Sequence, residues 1–283
     1  MRERGGKGFA AGLLPWAPAS CGGWLLLCAL RLILRPGPGL NLLLSAAGTV
    51  VFCLAPVSVV LLAEGKKIRL ALGAPEPEHI VSSVLCGVLA VFPFSLMEAL
   101  TVRAGLPGGL PPVGPAGYLP SLLYCLLFAP AAQGLYFRGW LEDGLRFAGA
   151  GRALALSSAL FALTADEPAG ILPCFCLGVM LSLLMRAHRS IVSSMLSHSA
   201  FLTASLFAGQ FGLLPSGLGL GAAVLCAAGS FGWYFAFRRA MGRRPALRRI
   251  RLKMEPFTAR ERALLAAAAA LTVLASLLAG VMA

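Results

Sequence analysis

The chain has 283 residues, enough for one or two soluble domains on length alone. Composition excludes that reading, because 58% of the residues are hydrophobic and only 12% are charged, too few to clothe a soluble globule. The net charge of +13 does not point to nucleic acid, since the basic residues lie in loops beside long apolar runs. In lipid the backbone must satisfy its own hydrogen bonds, so the expected fold class is all-α, a polytopic transmembrane helical bundle.

A span needs about 20 mostly apolar residues. In chain order the apolar runs are 16–34, 39–63, 79–101, 118–137, 152–165, 168–186, 190–209, 216–237 and 262–283. Together they give eight spans and a weaker ninth. The fifth is short and reads as a broken or re-entrant element, with Pro168 opening the helix after it. With the N-terminus cytoplasmic, only Arg31, Arg35 and Arg103 of the 24 Lys and Arg fall on the outer side. That bias supports the orientation and puts the C-terminus outside. The densest basic run, "FRRAMGRRPALRRIRLK" (237–253), reads as a topogenic loop gripping anionic headgroups. Three regions follow: N-terminal transmembrane helices in 1–115, a core motif region in 116–210, and C-terminal helices with the basic cytoplasmic loop in 211–283.

The eight cysteines fall mostly inside the expected spans and read as small buried apolar residues. "PCFC" (Cys174, Cys176) is too short and too apolar for a metal site. The outer stretch "VRAGLPGGLPPVGPAG" is rich in Gly and Pro and reads as an extended cap. Gly217 and Gly221, four apart, predict close packing of two helices.

Ionisable groups inside a span are costly and are therefore the first functional candidates. They are Arg138 at the inner end of the fourth span, His198 within the seventh, and Glu98 near the outer end of the third. Asp166 and Glu167 sit in a tight turn between the fifth and sixth spans, while His79 and His188 fall in loops beside charged neighbours and are expected to be solvated.

Three stretches share an order: "APAAQGLYFRG" (129–139), "SALFALTADEP" (158–168) and "SIVSSMLSHSAFLTA" (190–204). They resemble the three motifs of the CPBP family, also called Abi or type II CAAX-protease-like proteins. That family carries A-P-x-x-E-E-x-x-F-R-G on one helix, F-x-x-x-H on a second and H-x-x-x-N on a later one. Ala129, Pro130, Phe137, Arg138 and Gly139 match the first motif, Phe161 the second and His198 the third. The resemblance covers about residues 120 to 205. It implies a bundle in which spans four to seven enclose a polar-lined cavity. It also implies an intramembrane metalloendopeptidase ancestry, in which Glu and His side chains activate a water on a divalent metal.

The departures fall where that chemistry would be. Gln133 and Gly134 occupy the paired-Glu positions, Ala165 the second motif's His, and Leu202 the third motif's Asn. A general base must accept a proton from water and a metal needs about three protein ligands. Glutamine is not basic, glycine and alanine supply nothing, and His198 alone cannot hold a metal. Arg138 reads as an orienting cation or, preferred here, an anchor at the inner interface. His198 reads either as a retained site residue, the residual metal candidate, or as a neutral imidazole bonded to a neighbouring helix through a partner such as Gln133. Asp166 lies one residue past the lost His, about 100° around a helix, and so faces elsewhere.

The leading expectation is a degenerate member of the family, a pseudoprotease with no functional catalytic residue, no cofactor and no metal. Its cavity would take a hydrophobic peptide, a membrane lipid or a partner transmembrane helix, and it would not bind nucleic acid. One alternative is an active membrane endopeptidase using non-standard residues and a divalent metal such as zinc. Another is a membrane binding or transport component. The family's usual distribution places the chain in a bacterial plasma (inner) membrane.

Overall fold

The structure is a computed structural model that describes residues 38–58, 73–106, 115–145, 149–162, 164–165, 168–210 and 220–242, with eight scattered positions between 18 and 34. Among the described residues every regular element is helical, as the apolar composition demands. Helix α1 (Pro38–Thr49) continues through a wide π-type turn, Val50–Leu54. Then follow α2 (Pro77–Arg103), α3 (Gly117–Gly144), α4 (Ala150–Ala162), α5 (Ile171–His188), α6 (Ile191–Gln210) and α7 (Leu220–Met241).

Four of these, α2, α3, α5 and α6, are long and apolar enough to cross a membrane. The expected eight or nine spans are therefore not reached among the described residues. The span expected at 262–283 lies outside them, as do more than half of that at 16–34, residues 107–114 of the outer cap and most of the basic loop. The expected 216–237 span is α7. The short fifth run is α4, whose 13 residues rise only about 20 Å and cannot cross alone. Pro168–Gly170 form one tight turn that leads into α5.

One boundary differs in a way that matters. The fourth span does not stop at 137; α3 runs on to Gly144. It contains two π-type stretches, Tyr124–Phe128 and Gly134–Leu141. Such widened turns recur at functional sites because they shift the side chains that follow. The second carries Arg138 and Trp140, both buried, and leads directly to buried Glu142.

The core forms where α3, α4 and α5 meet α2 and α6. Trp140, Leu184, Leu177, Phe161 and Phe137 are buried there. The outward faces of the same helices show Val81, Leu119, Leu127 and Phe231 to the surroundings. That much exposed aliphatic and aromatic surface suits lipid and not water.

Close approach relies on glycines other than the pair expected. A methyl at position 221 would meet nothing, so Gly221 makes no tight contact, and Gly217 lies outside the described residues. Instead Gly229 of α7 seats the Phe92 ring of α2, and Gly87 of α2 lies against the Ser197 carbonyl of α6.

His79 and His188 are not solvated loop residues. His188 ends α5 and is buried, and its ring stacks on His79 in the first turn of α2, with centroids 4.1 Å apart. Its Nε2–H donates to the Ala240 carbonyl of α7 at 3.0 Å, because a carbonyl can only accept. Nδ1 lies 3.2 Å from the Ser83 hydroxyl of α2. One imidazole thus ties together an end of α2, α5 and α7. The cysteines meet the expectation in part: of those described, Cys53, Cys86 and Cys226 are buried, whereas Cys125, Cys174 and Cys176 are partly exposed.

Gly87→Ala should lower the melting temperature of the purified protein, since the added methyl meets the Ser197 backbone and α2 must move from α6. Overpacking of this kind costs about 1–3 kcal/mol. An unchanged melting temperature would show that the α2–α6 contact is looser than described.

Candidate functional site

The site is built on α3, α4, α5 and α6. Pro130, Gln133, Gly134 and Arg138 face it from α3, Phe161 from α4, Leu181 from α5, and Ser194, Met195 and His198 from α6. The motif positions Gln133, Gly134, Arg138, Phe161 and His198 therefore converge on one pocket, as the motif frame implies. Ala165 and Leu202 do not line it. Helix α4 ends at Ala162, so Ala165 sits in the turn beyond, where its amide bonds the Ala162 carbonyl. Leu202 lies one turn past His198 on α6 and is half-buried. Asp166 and Glu167 lie outside the described residues. Glu98 is half-buried on α2 and takes no part in the pocket.

The pocket is narrow because methionine has filled it. Met195 packs over Gly134, and a Cβ at 134 would lie 2.8 Å from its Cγ. Methionine is unbranched and flexible, so it fills irregular gaps and can also withdraw from them. Beside it the Phe161 ring stands edge-to-face with Phe137, centroids 5.4 Å apart, and with His198 at 5.5 Å. His198 is buried, and no hydrogen bond joins it to Gln133 or to any other described residue.

Arg138 is not an interface anchor. Only 2% of it is exposed, and its guanidinium lies 5.0 Å from the Phe161 centroid in cation–π contact. Nη1 donates to the Ser157 hydroxyl at 3.0 Å, and that hydroxyl in turn donates to the Phe137 carbonyl at 2.7 Å. Glycine at 178 makes room for the guanidinium, since a Cβ there would stand 3.1 Å from Nη2. Nε and Nη2 have no partner.

The acid nearest in sequence is engaged elsewhere. Glu142 is fully buried, and its Oε1 accepts from Arg186 of α5, at 2.9 Å from Nε and 2.7 Å from Nη2. Arg186 Nη2 also donates to the Ala150 carbonyl at the start of α4. The Glu142–Arg186 pair therefore staples three helices. Sequence reading missed it because the fourth span had been ended too early, leaving Glu142 in a loop. Its only signal was an acid four residues after the motif arginine.

The family resemblance implies a divalent metal, and the residues present do not fit one. A metal needs about three donors with Zn–N or Zn–O bonds near 2 Å. The pocket offers His198 as its one ionisable metal donor. Among the described residues no three His, Cys, Asp or Glu side chains converge.

Glu142→Gln should destabilise the protein strongly, by about 3 kcal/mol or more, because it leaves the Arg186 charge without its partner. Chemical denaturation in detergent would measure it, and a loss under about 1 kcal/mol would mean the pair is well hydrated. Gly134→Ala should also lower stability, and Met195→Ala in the same chain should recover part of that loss. Strict additivity of the two changes would contradict the Met195–Gly134 contact.

Residues 115–204 match the family model described as type II CAAX prenyl endopeptidase Rce1-like. No curated protein and no solved structure matches the chain. The matched segment spans α3 to most of α6 and holds every residue that lines the pocket. The protein is thus a helical, apolar chain suited to a membrane, whose pocket-bearing segment matches the Rce1-like, type II CAAX-protease family model.

Proposed function

We propose that the protein is a catalytically inactive relative of these endopeptidases, and that its pocket binds a ligand without cutting it. The observation that carries this reading is the donor set. Gln133, Gly134, Arg138, Ser194 and His198 bring one imidazole and no carboxylate to the pocket. Peptide hydrolysis asks for a base to take a proton from water and for a stabilised tetrahedral oxyanion. Arg138 and His198 could meet the second demand. For the first, His198 would act alone, with no carboxylate to orient it and no metal to lower the pKa of the water. Glu142, the nearest acid along α3, has its Oε1 held by Arg186.

The surrounding chemistry supports a binding role. The pocket walls are largely apolar, the outer faces suit lipid, and Met195 is a movable filler. The fitting partners are a hydrophobic peptide, a membrane lipid or the helix of another membrane protein. No cofactor enters this reading. The strong bias of Lys and Arg supports a multi-pass protein of the plasma membrane, N-terminus cytoplasmic and C-terminus outside.

The purified wild-type protein should leave a membrane-anchored peptide intact over prolonged incubation, with or without a chelator, and should carry no stoichiometric zinc. Hydrolysis that stops on adding the chelator, and on His198→Ala, would overturn the proposal. Combining Gln133→Glu, Gly134→Glu and Ala165→His asks whether the frame can be made catalytic. Because Met195 occupies the space over position 134 and Ala165 lies past the end of α4, this triple change alone should not restore cleavage.

A further inference from the structure

The free edge of Arg138 is a specific one. A guanidinium presents Nε–H and Nη2–H side by side in one plane, a fork that matches the two oxygens of a carboxylate or phosphate. Arg186 shows this edge in use, with both nitrogens on Glu142. In Arg138 the opposite nitrogen, Nη1, is held by Ser157, while Nε and Nη2 are buried and without a partner. The residue is 98% buried by the complement of its 2% exposure, and it faces the pocket that Gln133, Ser194 and His198 also line.

Leaving a guanidinium edge unpaired in a lipid-bounded interior is costly. Arg138 is buried while Arg186 is partly exposed, and the one described buried acid nearby, Glu142, gives its Oε1 to Arg186 and makes no hydrogen bond to Arg138. The Nε/Nη2 edge of Arg138 is therefore left without an oxyanion. The imidazole of His198, which makes no hydrogen bond to a described residue, can supply a further donor at the same pocket. Phe161, Leu181 and Met195 form the apolar wall that would follow the anion outward.

We propose that this pocket binds the oxyanion head of a membrane amphiphile, a carboxylate or phosphate, on the Nε/Nη2 edge of Arg138, with the apolar tail displacing Met195. This rests on the reading of the cavity as a binding pocket. It adds the ligand's charge, the atoms that hold it and the side chain that moves.

The test uses the full-length protein in dodecyl maltoside, with radiolabelled oleate as the probe, and with oleyl alcohol and acetate in parallel. Wild type should bind oleate saturably and reject acetate. Arg138→Lys keeps a charge but loses the fork and should weaken oleate binding about tenfold or more, the worth of one charge-assisted bond. Oleyl alcohol should bind weakly and equally to both. Should Arg138→Lys fail to fold, Gly178→Ala, which crowds Nη2, carries the same expectation. Equal binding of oleate and oleyl alcohol, unchanged by either variant, would overturn the anion site while leaving the binding pocket standing. Acetate binding as tightly as oleate would overturn the amphiphile and place the anion in water. No saturable binding of any probe would overturn both this inference and the pocket beneath it.

Discussion

Charge inside an apolar bundle is the constraint on which the rest of this structure depends. Water stabilises an ion far more than hydrocarbon can, so each buried charge must find a counter-ion or a set of dipoles. Here Glu142 meets Arg186, and the pair draws the end of α3 onto α5 and the start of α4. Arg138 has a weaker settlement: one hydroxyl, one aromatic face, and a glycine that leaves it room. The geometry of the pocket follows from these two solutions. The first holds the helices together, and the second leaves a buried donor edge without a partner.

The packing around that edge joins three helices through aromatic rings. Phe137, Phe161 and His198 still meet edge-to-face across three helices. At the paired-Glu positions the volume has been redistributed, with Gly134 giving space and Met195 taking it. A core tolerates such exchange when total volume is kept, whereas a proton acceptor has no substitute of similar shape. Likeness of fold does not by itself carry activity with it.

The farther ends of the bundle are organised by a different device. The His79–His188 stack and the His188 bonds to Ser83 and Ala240 join three helices at a place where the sequence suggested solvated loops. A histidine next to charged residues in sequence can still be covered by elements distant in sequence. Neighbours along the chain do not determine solvent exposure; neighbours in space do.

Much of the protein was legible without coordinates. The apolar runs marked α2 to α7 because hydrocarbon demands long helices with satisfied backbones. The Ala-Pro…Phe-Arg-Gly frame located the segment that the family model matches, and Gln133, Gly134, Arg138, Phe161 and His198 came together as the motif spacing implied. Other features depended on packing. Whether Arg138 anchors at an interface or turns inward hinges on where α3 ends, and apolar periodicity does not mark that end once a π-type stretch and a buried acid prolong the helix. Ala165 carries the motif spacing yet falls beyond α4, because the helix ends at Ala162. The partners that decide the chemistry, Ser157, Gly178, Arg186 and Met195, lie on other helices. Composition and order set which residues enter the membrane; only the crossing of helices sets which charges meet and which nitrogen is left free.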